Sequence, residues 1–154
     1  MRGRKAPKRQ INPDIKMNSV KVEKFINNLM VGGKKSIARK VFYSSIDQVA
    51  GEVKKDPLDV FLKIMDNVSP TIEVRSRRVG GANYQIPVPV SSQRAEALAI
   101  RWIIQSARSK KGMPMDERLK NEFLDAYNNT GLAIKKKTDV EKMAESNRAF
   151  SHLA

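Results

Sequence analysis

The sequence predicts a mainly α, single-domain protein of about six helices with a protruding two-stranded antiparallel β-hairpin arm. Three observations carry this. Apolar residues recur at helical spacing along most of the chain, and one stretch, "TIEVRSRRVGGANYQIPVPV" at 71–90, instead alternates with period two about a glycine pair. The chain has 154 residues and no cysteine. A domain of that size buries roughly 70% of the surface its unfolded chain exposes, so one core suffices without a disulfide staple.

The elements follow in order. "SVKVEKFINNLM" sets Val22, Phe25, Ile26, Leu29 and Met30 on one stripe, beginning near Ser19 and stopped by Gly32 and Gly33. "KSIARKVFYSSIDQVAGEVKK" repeats the stripe with Ala38, Val41, Phe42, Ile46, Val49 and Val53. "DPLDVFLKIMDNV" has Asp56 as N-cap, Pro57 at the first helical position, and Leu58, Phe61, Leu62 and Met65 facing inward. The hairpin comes next. "SSQRAEALAIRWIIQSARSKKG" offers Ala95, Leu98, Ala99, Trp102 and Ile103. "PMDERLKNEFLDAYNNTG" opens on Pro114 with acids in its first turn, buries Leu119, Phe123, Ala126 and Tyr127, and meets Gly131 as a stop signal. The last helix is announced by "TDVE" at 138–141, a capping-box pattern ahead of Met143 and Ala144.

Within the hairpin, Ile72, Val74 and Ser76 share one face of the first strand, and Glu73, Arg75 and Arg77 the other. In the second strand Tyr84, Ile86, Val88 and Val90 share a face opposite Pro87 and Pro89. The two prolines delete N–H donors along the same edge, so the sheet stops at two strands. A lone ribbon is marginal in water, so it is packed on the helices at its base or held by a partner.

Charge narrows the functional classes. Thirty Lys and Arg stand against sixteen Asp and Glu, for a formal charge of +14. Residues 1–40 hold twelve basic and two acidic side chains, so the excess is concentrated near the front. A like-charged surface of that size calls for a polyanionic partner. No long apolar span, signal peptide or lipidation motif points to a membrane, and nucleic acid is the better partner. The absence of cysteine excludes disulfides and thiolate metal sites and fits a reducing, cytoplasmic compartment.

The cations fall into five groups. Arg2, Arg4, Lys5, Lys8 and Arg9 make residues 1–18 a basic N-terminal arm, flexible when free, ahead of a helical body at 19–154. Lys34, Lys35 and Arg39 gather at the start of the second helix, where the helix dipole favours an anion. The segment is not a phosphate-binding P-loop, which needs Gly where Asn28 stands and Ser or Thr where Lys35 stands. Arg75, Arg77 and Arg78, with the flexible Gly80–Gly81 tip, Asn83 and the ring of Tyr84, equip the hairpin to grip phosphate and stack on bases. Arg94 and Arg101 lie two turns apart on one helix face, and Arg108, Lys110 and Lys111 extend that track. "KKK" at 135–137 is the least specific cluster.

No catalytic centre is expected. His152, two residues from the last, is the only histidine, and no acid or His set has metal-ligand spacing. Neither cofactor, metal nor small-molecule substrate is implied. A helix-turn-helix DNA regulator would also be basic and helical, but would confine its charge to one recognition helix. An enzyme of RNA metabolism ranks behind it. Cations spread over an arm, a helix start, a ribbon and a helix face suit a large folded RNA.

Four stretches then carry a resemblance: "FINNLMVGGKKSIARKVFYSSI" (25–46), "RVGGANYQIPVPV" (78–90), "RAEALAIRWI" (94–103) and "ESNRAF" (145–150). In this order and spacing the chain resembles the bacterial form of the small-subunit ribosomal protein seven family over essentially its whole length. The resemblance implies a helical fold with a protruding ribbon and primary binding to the 3′ major (head) domain of small-subunit ribosomal RNA, organising head assembly. It implies that the ribbon lies near exit-site transfer RNA and the messenger exit path, beside ribosomal protein eleven. By motif match it assigns RNA contact to the arm, to Lys34 and Lys35, to Arg75, Arg77 and Arg78, and to Arg94 and Arg101. It puts the tip residues Gly80, Gly81, Asn83 and Tyr84 near transfer and messenger RNA. The family often continues beyond "NRAF" with an aromatic and basic ending, whereas this chain finishes "SHLA". Contacts of that ending are therefore not carried over.

Overall fold

A computed structural model describes residues 3, 6–7 and 9–153, the last by its backbone alone. Among the described residues the helices are α1 (Val20–Leu29), α2 (Lys35–Val53), α3 (Pro57–Val68), α4 (Ser92–Ser109), α5 (Met115–Tyr127) and α6 (Gly131–Ser146). A C-terminal 3-10 helix spans Arg148–Leu153. The strands β1 (Ile72–Val79) and β2 (Ala82–Pro89) form a two-stranded antiparallel sheet between α3 and α4. No helix among them is long and apolar enough to cross a membrane.

The helix stripes converge on four phenylalanines. Phe25 of α1, Phe42 of α2, Phe61 of α3 and Phe123 of α5 are all fully buried. Phe42 lies with its ring centroid 5.4 Å from Phe25, 5.4 Å from Phe61 and 6.1 Å from Phe123, the last two edge to face. Positive ring edges meeting negative faces fix the angles between four helices as well as burying area. Ile26, Ile46, Ile64, Ile103 and Leu119 fill in around them.

Asp56 accepts a bond from the Leu58 N–H at 3.0 Å and Pro57 opens α3, as the sequence requires. The buried face of α3 differs from the one expected. Val60, Phe61, Ile64, Met65 and Val68 are buried, while Leu58 and Leu62 are only half-buried. This helix is apolar around much of its circumference, so the packing of α2 and α5 chooses the face.

The α5–α6 junction also departs from the sequence reading. Gly131 does not stop α5; it is the first residue of α6. The reversal is made by Asn129 at φ 57°, with the Thr130 N–H donating to Asp125 O at 2.8 Å and Gly131 at φ 90°. The box at 138–141 is not a cap, because those residues lie inside α6 and the Thr138 hydroxyl donates to Ile134 O at 3.0 Å. The capping acid comes from another helix. Glu122 of α5, with no exposed surface, accepts the Ala133 N–H at 2.9 Å. A sequence pattern cannot register a cap supplied across space.

The ribbon pairs Arg75 with Ile86 and Arg77 with Tyr84, and the Val90 N–H donates to Thr71 O at its base. Gly80 and Gly81, at φ 57° and 91°, make the two-residue turn that matches strand twist. Packing resolves the earlier choice: β1 lies along α6 and β2 along the 3-10 helix. At the base the charged-looking face turns inward, with Glu73 6% and Ile86 1% exposed while Ile72 is 37% exposed.

Candidate nucleic-acid interface

The structure sorts the expected cations into those facing solvent and those committed to internal acids. At the front of the chain Arg9 is exposed, whereas Arg2, Arg4, Lys5 and Lys8 lie outside the described residues. The chain is then fastened at Asp14, which is almost wholly buried. Its carboxylate accepts the N–H groups of Lys16 and Met17 at 3.0 Å each and the Tyr43 hydroxyl at 2.5 Å. Burial alone would raise this carboxyl, but those hydrogen bonds, with the charge of Arg39, hold it below its ordinary range. Burial and the facing carboxylate push the Tyr43 phenol up to about 12.

Lys34 is the N-cap of α2 and is exposed, making no ion pair among the described residues. Among the described residues no side chain caps this helix and no acid sits in its first turn, so its positive end is open. Lys35 and Arg39 differ. Both reach Glu23 of α1, 5% exposed, with Arg39 Nη2 at 3.4 Å from each carboxylate oxygen. The Arg39 Nε is buried with no hydrogen-bond partner among the described residues.

On the hairpin, Arg75, Arg77 and Arg78 are all exposed. Arg75 donates through Nε at 2.9 Å and Nη2 at 2.6 Å to Glu73 Oε1, and Arg94 of α4 donates through Nε at 3.1 Å to Glu73 Oε2. Desolvation would raise the Glu73 carboxyl; the hydrogen bonds and charges of Arg75 and Arg94 outweigh it and hold the group low. Arg78 makes no ion pair among the described residues. Gly80, Gly81 and Asn83 are exposed at the tip. Tyr84 is half-buried, its ring 5.2 Å from that of Phe150 in the 3-10 helix, so one side of the ring is already covered.

The α4 track divides. Arg94 and Arg101 are exposed on α4, and Lys111 is exposed just beyond it. Arg108 instead donates to Leu29 O at 3.2 Å, tying α4 to the end of α1. Lys110 turns inward, its ammonium 3.0 Å from Glu122 and 3.2 Å from Asp125. Burial would lower the Lys110 amine, but the two carboxylates raise it. In the 135–137 cluster, Lys135 and Lys136 are exposed while Lys137 donates to Asn67 O at 2.9 Å.

Sequence reasoning overlooked Glu23, Glu73 and Glu122, the three buried glutamates that anchor these cations. A signal was present: each is an acid standing next to, or within, an apolar stripe of a very basic chain. Among the described residues no cluster of His, Cys, Asp or Glu is arranged to hold a metal ion.

Comparison with known proteins decides the lineage. The model of the family described as ribosomal protein S7p/S5e matches residues 1–148. The chain belongs to this family. Curated members are similar over almost their full length. The small ribosomal subunit protein uS7 of Thermotoga maritima is 55% identical over 152 residues, covering 99% of this chain and 98% of that protein. That of Afipia carboxidovorans is 54% identical over 147 residues, or 96% and 94% of the two chains. That of Treponema denticola is 52% identical over 151 residues, or 98% and 97%. The S7p/S5e match includes the whole hairpin and all six helices, so the resemblance first carried by four stretches extends through the elements that join them.

Proposed function

We propose that the protein is a structural, non-catalytic constituent of the small ribosomal subunit and a primary binder of the 3′ major domain of its ribosomal RNA. In this reading it organises assembly of the subunit head. The observation that carries the reading is the combination of S7p/S5e family membership over residues 1–148 with exposed cations at separate places on the fold: Lys34 at the start of α2, Arg78 on β1, Arg101 on α4 and Lys111 just beyond it. Phosphates of a folded RNA meet such a body from several directions, and each neutralised phosphate releases condensed counterions. Single-stranded loops and irregular helices offer backbone at the varied angles this distribution needs.

The same reading puts the hairpin tip, Gly80 to Asn83, close to exit-site transfer RNA and the messenger exit path, with ribosomal protein eleven as a neighbour. The exposure of the whole tip supports a role in reaching a partner. The covered face of Tyr84 limits base stacking there to the ring's other face.

The test is a filter-binding competition at matched, moderate salt between a transcript of the 3′ major domain, random RNA of equal length and duplex DNA. Strong preference for the first is expected. Equal affinity for all three overturns the ribosomal reading, and preference for the duplex favours a DNA regulator.

A further inference from the structure

A buried acid between two exposed arginines has a use that charge counting misses. Glu73 on β1 is 6% exposed, and each of its carboxylate oxygens takes a different guanidinium: Oε1 that of Arg75, from the same strand, and Oε2 that of Arg94, from the first turns of α4. We propose that Glu73 is a positioning residue that joins Arg75 and Arg94 into one fork for an RNA backbone phosphate, spanning the ribbon and α4. The inference rests on the RNA-binding reading above and adds to it a specific site and a specific organiser.

The geometry separates a fork from a mere staple. A staple would bury the guanidiniums with the acid, yet the Arg75 and Arg94 side chains are 63% and 43% exposed. Arg94 engages Glu73 through Nε, and Arg75 through Nε and Nη2, so Nη1 of both arginines has no partner among the described residues. A guanidinium held on one edge presents the other edge, the one suited to bidentate phosphate binding, in a fixed direction. Ordering two long side chains is then done by folding rather than by RNA binding, which lowers the entropic cost of association. The cluster keeps one net positive charge, so the acid orients the cations without cancelling both of them.

The proposal makes a prediction opposite in sign to simple electrostatics. Glu73→Gln raises the net charge of a basic chain by one, which by itself tightens binding to any polyanion. Loss of the fork loosens it. With the full chain and filter binding at fixed salt, E73Q is expected to lower affinity for the 3′ major domain transcript about tenfold, the scale of one charge-assisted contact. Phosphate is common to all RNA, so weaker binding to random RNA is expected too. Adding Arg94→Gln to E73Q should cost little more, because the two act as a unit. Hydrogen exchange of the β1 and β2 amides should be unchanged in E73Q. Should it speed up, Arg94→Gln alone carries the test, because Glu73 then stays paired with Arg75. The fork predicts the same tenfold loss in that variant, and full affinity overturns it.

Unchanged or tighter binding of E73Q to both RNAs, with the hairpin amides protected, also overturns the fork. Failure of the wild-type chain to prefer the ribosomal transcript sinks the parent reading instead, and the two failures are told apart by which protein is measured.

Discussion

Replacing Lys110 with alanine tests whether a lysine in a basic stretch belongs to the RNA surface or to the fold. Its ammonium lies 3.0 Å from Glu122 and 3.2 Å from Asp125; its side chain is 21% exposed and that of Glu122 is not exposed at all. Removing one partner of a fully buried pair costs about 3–5 kcal/mol, because the other charge is left in a medium that cannot solvate it. Two features reduce this: Lys110 retains some solvent, and Glu122 still accepts the Ala133 N–H at 2.9 Å. A loss of about 2–3 kcal/mol follows. For a chain of this size that is a fall of about 4–12 °C in melting temperature, read by circular dichroism at neutral pH. Lys111→Ala is the matched control, since Lys111 is exposed and makes no ion pair among the described residues, and should move stability by less than about 0.5 kcal/mol. Combining Lys110→Met with Glu122→Gln keeps the cap on Ala133 and removes both charges, so it should recover part of the loss. If Lys110→Ala melts with the wild type while the salt dependence of RNA binding falls by about one counterion, the ammonium faces RNA and does not hold the fold through Glu122.

Two further outcomes are expected. Gly131→Ala adds a Cβ 2.7 Å from the Asp125 Cβ at a residue with φ 90°, so strain and clash together should cost about 2–4 kcal/mol, seen as a lower midpoint in urea; an unchanged midpoint would mean the α5–α6 turn is not made this way. The Asp14–Tyr43 bond should shape both limbs of the stability–pH curve. The Asp14 carboxyl is lowered on folding, so its contribution is present above its ordinary value near 3.8 and is lost as pH falls through the folded value. Tyr43 is raised from 10.0 to about 12, so its contribution holds below 10 and is lost between 10 and 12. Tyr43→Phe should lower stability at pH 7 by about 1.5–3 kcal/mol and flatten the alkaline limb, leaving the part due to the raised Lys110 amine; an unaltered limb in urea titrations would refute the assignment.

The interface was readable unevenly, and the reason is the same at each place. Local chemistry shows in sequence. The period-two stretch at 71–90, its glycine turn and its prolines specified a two-stranded ribbon, because strand alternation, positive φ and missing donors are properties of adjacent residues. Asp56 and Pro57 marked a helix start for the same reason. Partnerships between distant residues do not show. Lys34 and Lys35 look alike in sequence, yet one is exposed and the other meets Glu23, twelve residues earlier. Lys110 and Lys111 diverge in the same way, and Tyr84, which the sequence offers as a stacking ring, lies against Phe150, sixty-six positions on.

Residue order alone specifies that the chain is helical, strongly cationic, free of cysteine and equipped with one ribbon. It also determined the family, because composition, periodicity, turn chemistry and motif spacing are all encoded in order along the chain. Which cations stay exposed to a partner is set by the folded arrangement. That depends on which side chain lies within a few ångströms of which buried carboxylate, and packing brings those groups together from separate helices and strands.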